Sequence, residues 1–262
     1  MSKPIRLHVY LAHLGITSRR KAEQLIQEGK VQVNGKIAVI GQSIQPEKDE
    51  VIVEDRKIGE TPEKPIYLLL NKPRGYVSTA QDELGRKNVT ELIPTRYGRV
   101  YPVGRLDLES EGLLLMTNDG DTAYVMTHPS FEVEKTYQVL IDRVPSTLAL
   151  EHLRKGVLLK EGLVRPLSLK VLSHEEQRRT WLEIVIKEGR NQQVRRMMRR
   201  IGYEVLQLRR VAMGPLELKN LLNGQFRVLS DLEIQALLAF VYEKKTRKED
   251  IKLDQTTSNT ED

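Results

Sequence analysis

The spacing of apolar residues at the start of the chain changes from the period of a helix to the period of a strand. It predicts a short helix over 6–14 and a second helix capped by Thr17 or Ser18. Alternating valine and isoleucine residues then flank Asn34-Gly35, a dipeptide that favours a tight hairpin turn. We therefore predict a small α/β module of two helices and a hairpin over residues 1–60.

A second and larger domain is predicted after a segment rich in proline and charge. Residues 61–65 have the composition of a linker, and the apolar run at 66–71 predicts a buried strand. Further strands are predicted at 113–117, 133–141, 167–172, 180–187 and 204–210, and helices at 121–127, 148–156, 191–201 and 231–242. Many strands and few helices favour an α+β domain over 66–242, with a mixed, mostly antiparallel sheet flanked by helices. Residues 243–262 lack an apolar period, and we predict a disordered polar tail.

Composition excludes several kinds of site. The 262 residues contain no cysteine, so a disulfide framework, a thiolate nucleophile and a Cys-ligated metal are excluded. The five histidines lack metal-ligand spacing, and no phosphate-binding loop or dinucleotide fingerprint is present. No apolar run approaches the ~20 residues of a membrane span, and the start of the chain does not resemble a secretion signal. We therefore expect a cytoplasmic protein with no metal, no nucleotide or other cofactor and no membrane partner.

The positive charge is concentrated in two regions. The whole chain has 42 Lys and Arg against 36 Asp and Glu, a net charge of +6. Residues 1–36 hold seven basic residues against two acidic ones, and residues 187–219 hold nine against three. Two basic regions far apart in sequence suit an extended polyanion that is bound at two points.

Two segments carry candidate chemistry. Arg105 and Asp107 lie in a loop that leads into the apolar strand after Gly112, where a carboxylate can face a cleft; a local ion pair is the alternative. On the strand at 133–141, Lys135 and Tyr137 share one face, although a Tyr at such a position is usually a packing residue.

The helix at 191–201 has an unusual polar face. Its apolar residues follow the helical period, and the rest of its surface carries Arg195, Arg196, Arg199 and Arg200 with no acid on the helix. Like charges four residues apart destabilise a helix by about 0.2–0.5 kcal/mol. A solvated surface normally mixes both signs, so the pattern favours a site for carboxylate or phosphate.

The order of these motifs resembles that of the pseudouridine synthases that modify ribosomal RNA. The motifs are Asn71-Lys72-Pro73-Arg74-Gly75-Tyr76, Gly104 to Asp107 with Gly112 to Leu115, His128-Pro129-Ser130, Lys135-Thr136-Tyr137, Glu188 to Met197, and Leu208-Arg209-Arg210 before Gly214. The N-terminal module resembles an S4 RNA-binding domain. Residues 188–197 fit the large-subunit type of this branch better than the small-subunit type.

The resemblance implies roles for individual residues. Asp107 matches the catalytic aspartate. The resemblance leaves three possibilities open for the first step: attack of the aspartate at C1′ of the ribose, its attack at C6 of the uracil, or formation of a glycal. Arg195 matches the arginine that pairs with this carboxylate, and Tyr137 the tyrosine that stacks on the target base. Arg105 matches a residue that fills the gap left by the flipped nucleotide. The reaction is an isomerisation that needs no cofactor.

The resemblance also implies the surface that binds ribosomal RNA, and it leaves alternatives open. The expected contacts are Arg19, Arg20, Lys21, Lys30, Lys36, Lys72, Arg190, Arg196, Arg199 and Arg210. We expect a monomer that acts on 23S RNA of the large subunit. The alternatives are an enzyme for 16S RNA of the small subunit and a non-catalytic RNA-binding factor in ribosome assembly.

Overall fold

The computed structural model describes residues 4–58, 64–80, 82, 84–175 and 179–257. Most of the predicted linker at 61–65 lies outside the described residues. The chain divides into two compact units, with a boundary between Pro65 and Ile66; residues 95–99 and 118–120 belong to the first unit. No helix in the described part of the chain is both long enough and apolar enough to cross a membrane.

The first unit has the predicted helices and hairpin. Its elements are β1 (Ile5–Arg6), α1 (Leu7–His13), α2 (Arg19–Gln27), β2 (Val31–Val33), β3 (Lys36–Ile37), β4 (Ser43–Ile44), β5 (Val51–Val53) and β6 (Arg56–Lys57). Ser18 caps α2 by accepting a hydrogen bond from the backbone N–H of Lys21. Asn34 and Gly35 have φ angles of 51° and 75°, the left-handed values that this hairpin turn requires. The predicted hairpin is therefore confirmed.

In its described residues, the second unit contains a large sheet and four α-helices. The strands of this unit are β7 (Tyr67–Lys72), β8 (Tyr101–Pro102), β9 (Glu111–Thr117), β10 (Lys135–Ile141), β11 (Val157–Leu159), β12 (Gly162–Val164), β13 (Ser168–His174), β14 (Thr180–Ile186), β15 (Val205–Met213), β16 (Leu216–Glu217) and β17 (Phe226–Val228). Strands β11 and β12 pair with each other in a separate small sheet. The helices of this unit are α3 (Gly120–Thr127), α4 (Thr147–Lys155), α5 (Gln193–Arg200) and α6 (Asp231–Thr257). Short 3₁₀ helices occur in this unit at Val89–Leu92 and Pro129–Phe131, and a third, Thr95–Tyr97, belongs to the first unit.

The large sheet has nine strands and is mixed, as predicted. Its main path runs β13-β14-β10-β15-β9-β7-β17, with β16 beside β15 and β8 beside β9. All neighbours are antiparallel except β15 and β9, which are parallel. The short strands β8, β11, β12, β16 and β17 have too few residues for a detectable alternation, and the sequence did not predict them. The α+β class is confirmed.

One row of residues crosses the middle of the sheet. Lys72 at the end of β7 is opposite Gly112 on β9, and Gly112 is opposite Arg210 on β15. Arg210 is in turn opposite Tyr137 on β10. The row brings residues from four separate motifs to one place, next to the loop that carries Asp107.

The predicted disorder of the tail is wrong for residues 243–257. Helix α6 continues to Thr257. Lys245 forms an ion pair of 2.9 Å with Asp121. Lys248 donates a 2.6 Å hydrogen bond to the Ser130 hydroxyl and lies 4.4 Å from the centre of the Phe131 ring. Residues without an apolar period were predicted to be disordered, but here long cationic side chains attach the helix to its own domain. Residues 258–262 lie outside the described part of the chain.

Candidate active site

A cleft of about 750 Å³ opens above the row of residues that crosses the sheet. The loop at 104–110 forms one wall, and the segment from Ile186 to Val194 forms another. Lys135 and Tyr137 of β10 and Arg210 of β15 also line the cleft. The cleft therefore collects the chemical groups of the Asp107 loop, strand β10 and the residues before α5.

The loop places Asp107 at the cleft with its side chain available. Asp107 lines the cleft and is half-buried. Within the described residues, its carboxylate has no hydrogen-bond or ion-pair partner. The loop itself is held by its backbone: Leu106 receives a hydrogen bond from the Ser78 hydroxyl at 2.9 Å, and the Ser110 N–H donates to the Asp107 carbonyl at 2.9 Å. A fixed backbone with an unpaired carboxylate is suited to a nucleophile.

Lys72 supports this loop from below, which corrects its predicted role. Its side chain is 0% exposed, so its ammonium cannot reach RNA. The ammonium donates to the carbonyl oxygens of Pro73, Asp107 and Ser110 at 3.0, 3.1 and 2.8 Å. Burial lowers the pKa of Lys72 to about 8, although the charges of Asp107 and two neighbouring glutamates oppose this shift. Lys72 is therefore a positioning residue of the Asp107 loop.

We predict that Lys72→Met destabilises the second unit by about 2–4 kcal/mol, because it leaves buried carbonyl groups without donors. The single tryptophan, Trp181, lies on β14 and reports urea unfolding of this unit by its fluorescence. The exposed Lys170 of β13 is the matched control, and Lys170→Met should leave the urea midpoint within the error of the measurement. Equal midpoints for the two variants would contradict the support role.

The lowered pKa of Lys72 also predicts how stability depends on pH. The unfolded chain holds this proton more tightly than the folded chain does. The Lys72 contribution to the free energy of unfolding therefore increases as the pH rises from about 8 to 10.5, the ordinary pKa of a lysine. In Lys72→Met this part of the increase should be absent when unfolding is followed across that range. An unchanged pH dependence would contradict the burial of the charge.

Tyr137 and Arg105 both line the cleft but differ in exposure. Tyr137 is 7% exposed and faces the cleft from β10, and its hydroxyl has no hydrogen-bond partner among the residues that the structure describes. Arg105 is exposed, and its guanidinium also lacks a partner within that part of the chain. Tyr137 can therefore offer a ring surface inside the cleft, whereas Arg105 can reach out of its mouth.

Arg195 contacts the backbone of the Asp107 loop rather than the carboxylate. Its guanidinium donates to the carbonyl oxygens of Glu109 at 2.9 Å and Val205 at 3.0 Å, and its Nε is buried without a partner. Burial lowers the pKa of Arg195, the nearby charge of Arg74 lowers it further, and the Asp107 carboxylate opposes both. Within the described residues, Arg195 thus forms no direct ion pair with Asp107, but the two opposite charges attract each other at longer range.

The other arginines predicted to contact RNA have different environments. Arg190 lies 2.6 Å from the carboxylate of Glu188, and Arg196 makes an ion pair of 2.8 Å with Glu161. The missing acid for the α5 arginines therefore comes partly from the β11–β12 turn. Arg199 and Arg200 are exposed and have no partner in the described part of the chain.

Arg210 is 2% exposed on the cleft floor and cannot lie against an RNA backbone on the surface. Its predicted role in surface RNA binding is corrected for this reason. Lys135, for which the sequence predicts no role, lies on the same floor. The sequence contains one signal for this position: Lys135 stands two residues before Tyr137, which puts both side chains on the same face of the strand.

In the first unit, Arg19, Arg20, Lys21, Lys30 and Lys36 are all exposed. Lys30 pairs with Glu28 at 2.8 Å, and Lys21 donates to the side-chain oxygen of Gln24. Arg19, Arg20 and Lys36 have no partner among the described residues. Across the same described ranges, no group of three or more His, Asp or Glu side chains could hold a metal ion.

Comparison with known proteins places both units in known families. Residues 66–200 match the family model described as RNA pseudouridylate synthase, and residues 5–51 match that of the S4 domain. The chain is 43% identical to ribosomal large subunit pseudouridine synthase B of Bacillus subtilis, over 89% of this chain and 96% of that protein. It is 37% identical to an uncharacterized RNA pseudouridine synthase of Aquifex aeolicus, over 90% and 95%. A crystal structure of a pseudouridylate synthase superimposes with a TM-score of 0.61 at 30% identity, covering 89% of this chain and 99% of that one.

Proposed function

Because the chain belongs to the RNA pseudouridylate synthase family, we propose that it isomerises a uridine of 23S ribosomal RNA to pseudouridine, with Asp107 as the nucleophile. The observation that carries this proposal is the unpaired Asp107 carboxylate at the cleft that Tyr137 also lines. The large-subunit relative at 43% identity supports 23S RNA over 16S RNA.

The reaction rearranges bonds within one nucleotide. The C1′–N1 bond of the uridine breaks, a C1′–C5 bond forms, C5 loses a proton and N1 gains one. Nothing is oxidised or reduced. Asp107 supplies the carboxylate that attacks the nucleotide, and its fixed loop keeps the entropy cost of this step low.

Three side chains complete the proposed machinery. Tyr137 stacks on the target base and assists removal of the proton from C5. Arg195 places its positive charge near the Asp107 carboxylate, where it stabilises the negative charge of the nucleophile. Arg105 is exposed at the cleft, where its planar guanidinium can fill the gap left by the flipped nucleotide. Unstacking costs a few kcal/mol, and such a contact reduces that cost.

The exposed basic residues of the first unit position the RNA. Arg19, Arg20 and Lys36 contact the phosphate backbone without reading sequence. Arg199 and Arg200 on α5 act in the same way in the second unit. Since the substrate is ribosomal RNA, we propose that the protein works in the cytoplasm. We also propose that it acts as a monomer.

The test is a map of pseudouridines in ribosomal RNA from cells with and without the gene. We expect one or a few positions of 23S RNA to lose the modification and to regain it when the gene returns. Loss of a 16S position instead would support the small-subunit alternative. An unchanged map together with impaired ribosome assembly would contradict the enzyme and favour a binding factor.

A further inference from the structure

Two buried cations on the cleft floor have no assigned task. Lys135 and Arg210 both line the cleft next to Tyr137. We propose that they form an anion subsite that binds the detached uracil while it carries negative charge. This inference rests on the proposed function and names what the floor of the same site recognises.

The geometry puts both charges under one planar ligand. Lys135 and Tyr137 lie on the same face of β10, and Arg210 is directly opposite Tyr137 on β15. Lys135 is 8% exposed and Arg210 is 2% exposed. A base that stacks on Tyr137 therefore has its edges within reach of two cations.

No carboxylate of the described residues neutralises this pair. Lys135 donates to the carbonyl oxygens of Val133 and Lys187, and Arg210 Nε donates to that of Leu113. Three acids line the cleft. Glu132 pairs with Lys187 and Glu188 with Arg190, and Asp107 forms no ion pair with Lys135 or Arg210 in the described part of the chain.

Each of the two buried residues retains donor capacity. Arg210 Nη2 is buried without any hydrogen-bond partner. Lys135 uses two of its three donors on carbonyl oxygens. Burial and the charge of Arg210 together lower the pKa of Lys135 to about 8. Burying two adjacent cations without an acid destabilises a fold, so their presence indicates a ligand that carries the missing negative charge.

The proposed reaction supplies such a ligand. When the Asp107 carboxylate forms a bond to C1′, the C1′–N1 bond breaks and its electron pair stays on the base. The base is then a uracil anion, with its charge shared by N1, O2 and O4. Its C5 later attacks C1′ and displaces the carboxylate, C5 loses its proton and N1 takes one. Lys135 and Arg210 stabilise the anion between these two steps.

A phosphate of the RNA is the other anion to consider. Backbone phosphates are bound by exposed lysines and arginines, which this chain has on both units. The cleft floor is instead buried, beside the ring of Tyr137. A planar anion can stack on this ring, whereas a tetrahedral anion such as phosphate cannot.

The test compares two planar bases of similar shape. Barbiturate is an anion at neutral pH, whereas uracil is neutral, and their binding to the full chain is measured by titration calorimetry. We expect barbiturate to bind at least about 10-fold more tightly than uracil, because hydrogen bonds from cations to a charged ligand are stronger than those to a neutral one. Lys135→Met and Arg210→Gln should each reduce this preference by about 10-fold, and Lys170→Met should not.

Several outcomes would overturn the subsite. They are equal binding of the two bases, no binding of either, or displacement of barbiturate by inorganic phosphate at equal concentration. Lys135→Met removes no hydrogen bond of Arg210, so it keeps the test valid if Arg210→Gln fails to fold. Pseudouridine formation is measured on the same preparations. Activity without the preference for barbiturate contradicts only the subsite, whereas a wild type inactive on all ribosomal RNA contradicts the proposed function.

Discussion

Asparagine at position 107 is expected to abolish pseudouridine formation, with a loss of at least about 10⁴-fold in the single-turnover rate. The amide has the shape of the carboxylate but neither its charge nor its nucleophilic oxygen. The carboxylate makes no hydrogen bond or ion pair with any described residue, so the substitution removes chemistry without removing a structural contact. The rate is measured on a ribosomal RNA transcript that the wild type modifies.

RNA binding separates this effect from a general loss of function. Asp107→Asn should bind the transcript as tightly as the wild type does, since it removes no cation. Glu109→Gln is the matched control, because it neutralises an exposed carboxylate two residues away in the same loop. Its rate should stay close to that of the wild type. Product formation by Asp107→Asn at the wild-type rate would sink the assignment of the nucleophile.

The substitution Gly112→Ala is expected to lower the free energy of unfolding by about 4 kcal/mol or more. Gly112 has a φ of +108°, which side chains rarely tolerate. A Cβ built there would lie 2.3 Å from the backbone oxygen and 2.7 Å from the backbone nitrogen of Arg210. Backbone atoms cannot move aside as a side chain can, so β9 and β15 would separate where Asp107 and Arg210 are held.

Gly162 provides the matched control for backbone strain. It has nearly the same φ, +113°, but an added Cβ there meets nothing within 4 Å. Gly162→Ala should therefore cost only the strain, about 1–3 kcal/mol. Urea unfolding followed at Trp181 compares the two variants. An equal loss in both would show that the close contact with Arg210 contributes nothing.

Much of the fold followed from short-range patterns. The hairpin at Asn34-Gly35 and the strand that carries Lys135 and Tyr137 lie close to where the spacing of residues predicted them. These features depend on neighbours a few residues apart, and local backbone geometry determines them. The mistaken tail prediction shows the limit, because α6 is attached by Lys245 and Lys248 to residues more than a hundred positions away.

The roles of the charged residues depended on contacts between distant segments. The resemblance placed Lys72 and Arg210 among the cations that contact RNA, although such contacts need exposed side chains. The sheet places both beside Gly112, and there Lys72 holds the Asp107 loop while Arg210 lies under the cleft. Similarly, the acid that balances Arg196 comes from Glu161, which no pattern along α5 could indicate.

The sequence by itself thus determined the α+β class, the S4 module and the motifs that contain Asp107 and Tyr137. Each of these depends on residues that are consecutive or that recur with the period of a helix or a strand. Only the tertiary structure decided which cations are exposed, which support the loop and which form the cleft floor. The physical reason is that burial and pairing of a charge depend on strand register across the sheet, which brings Lys72, Gly112, Arg210 and Tyr137 into one row.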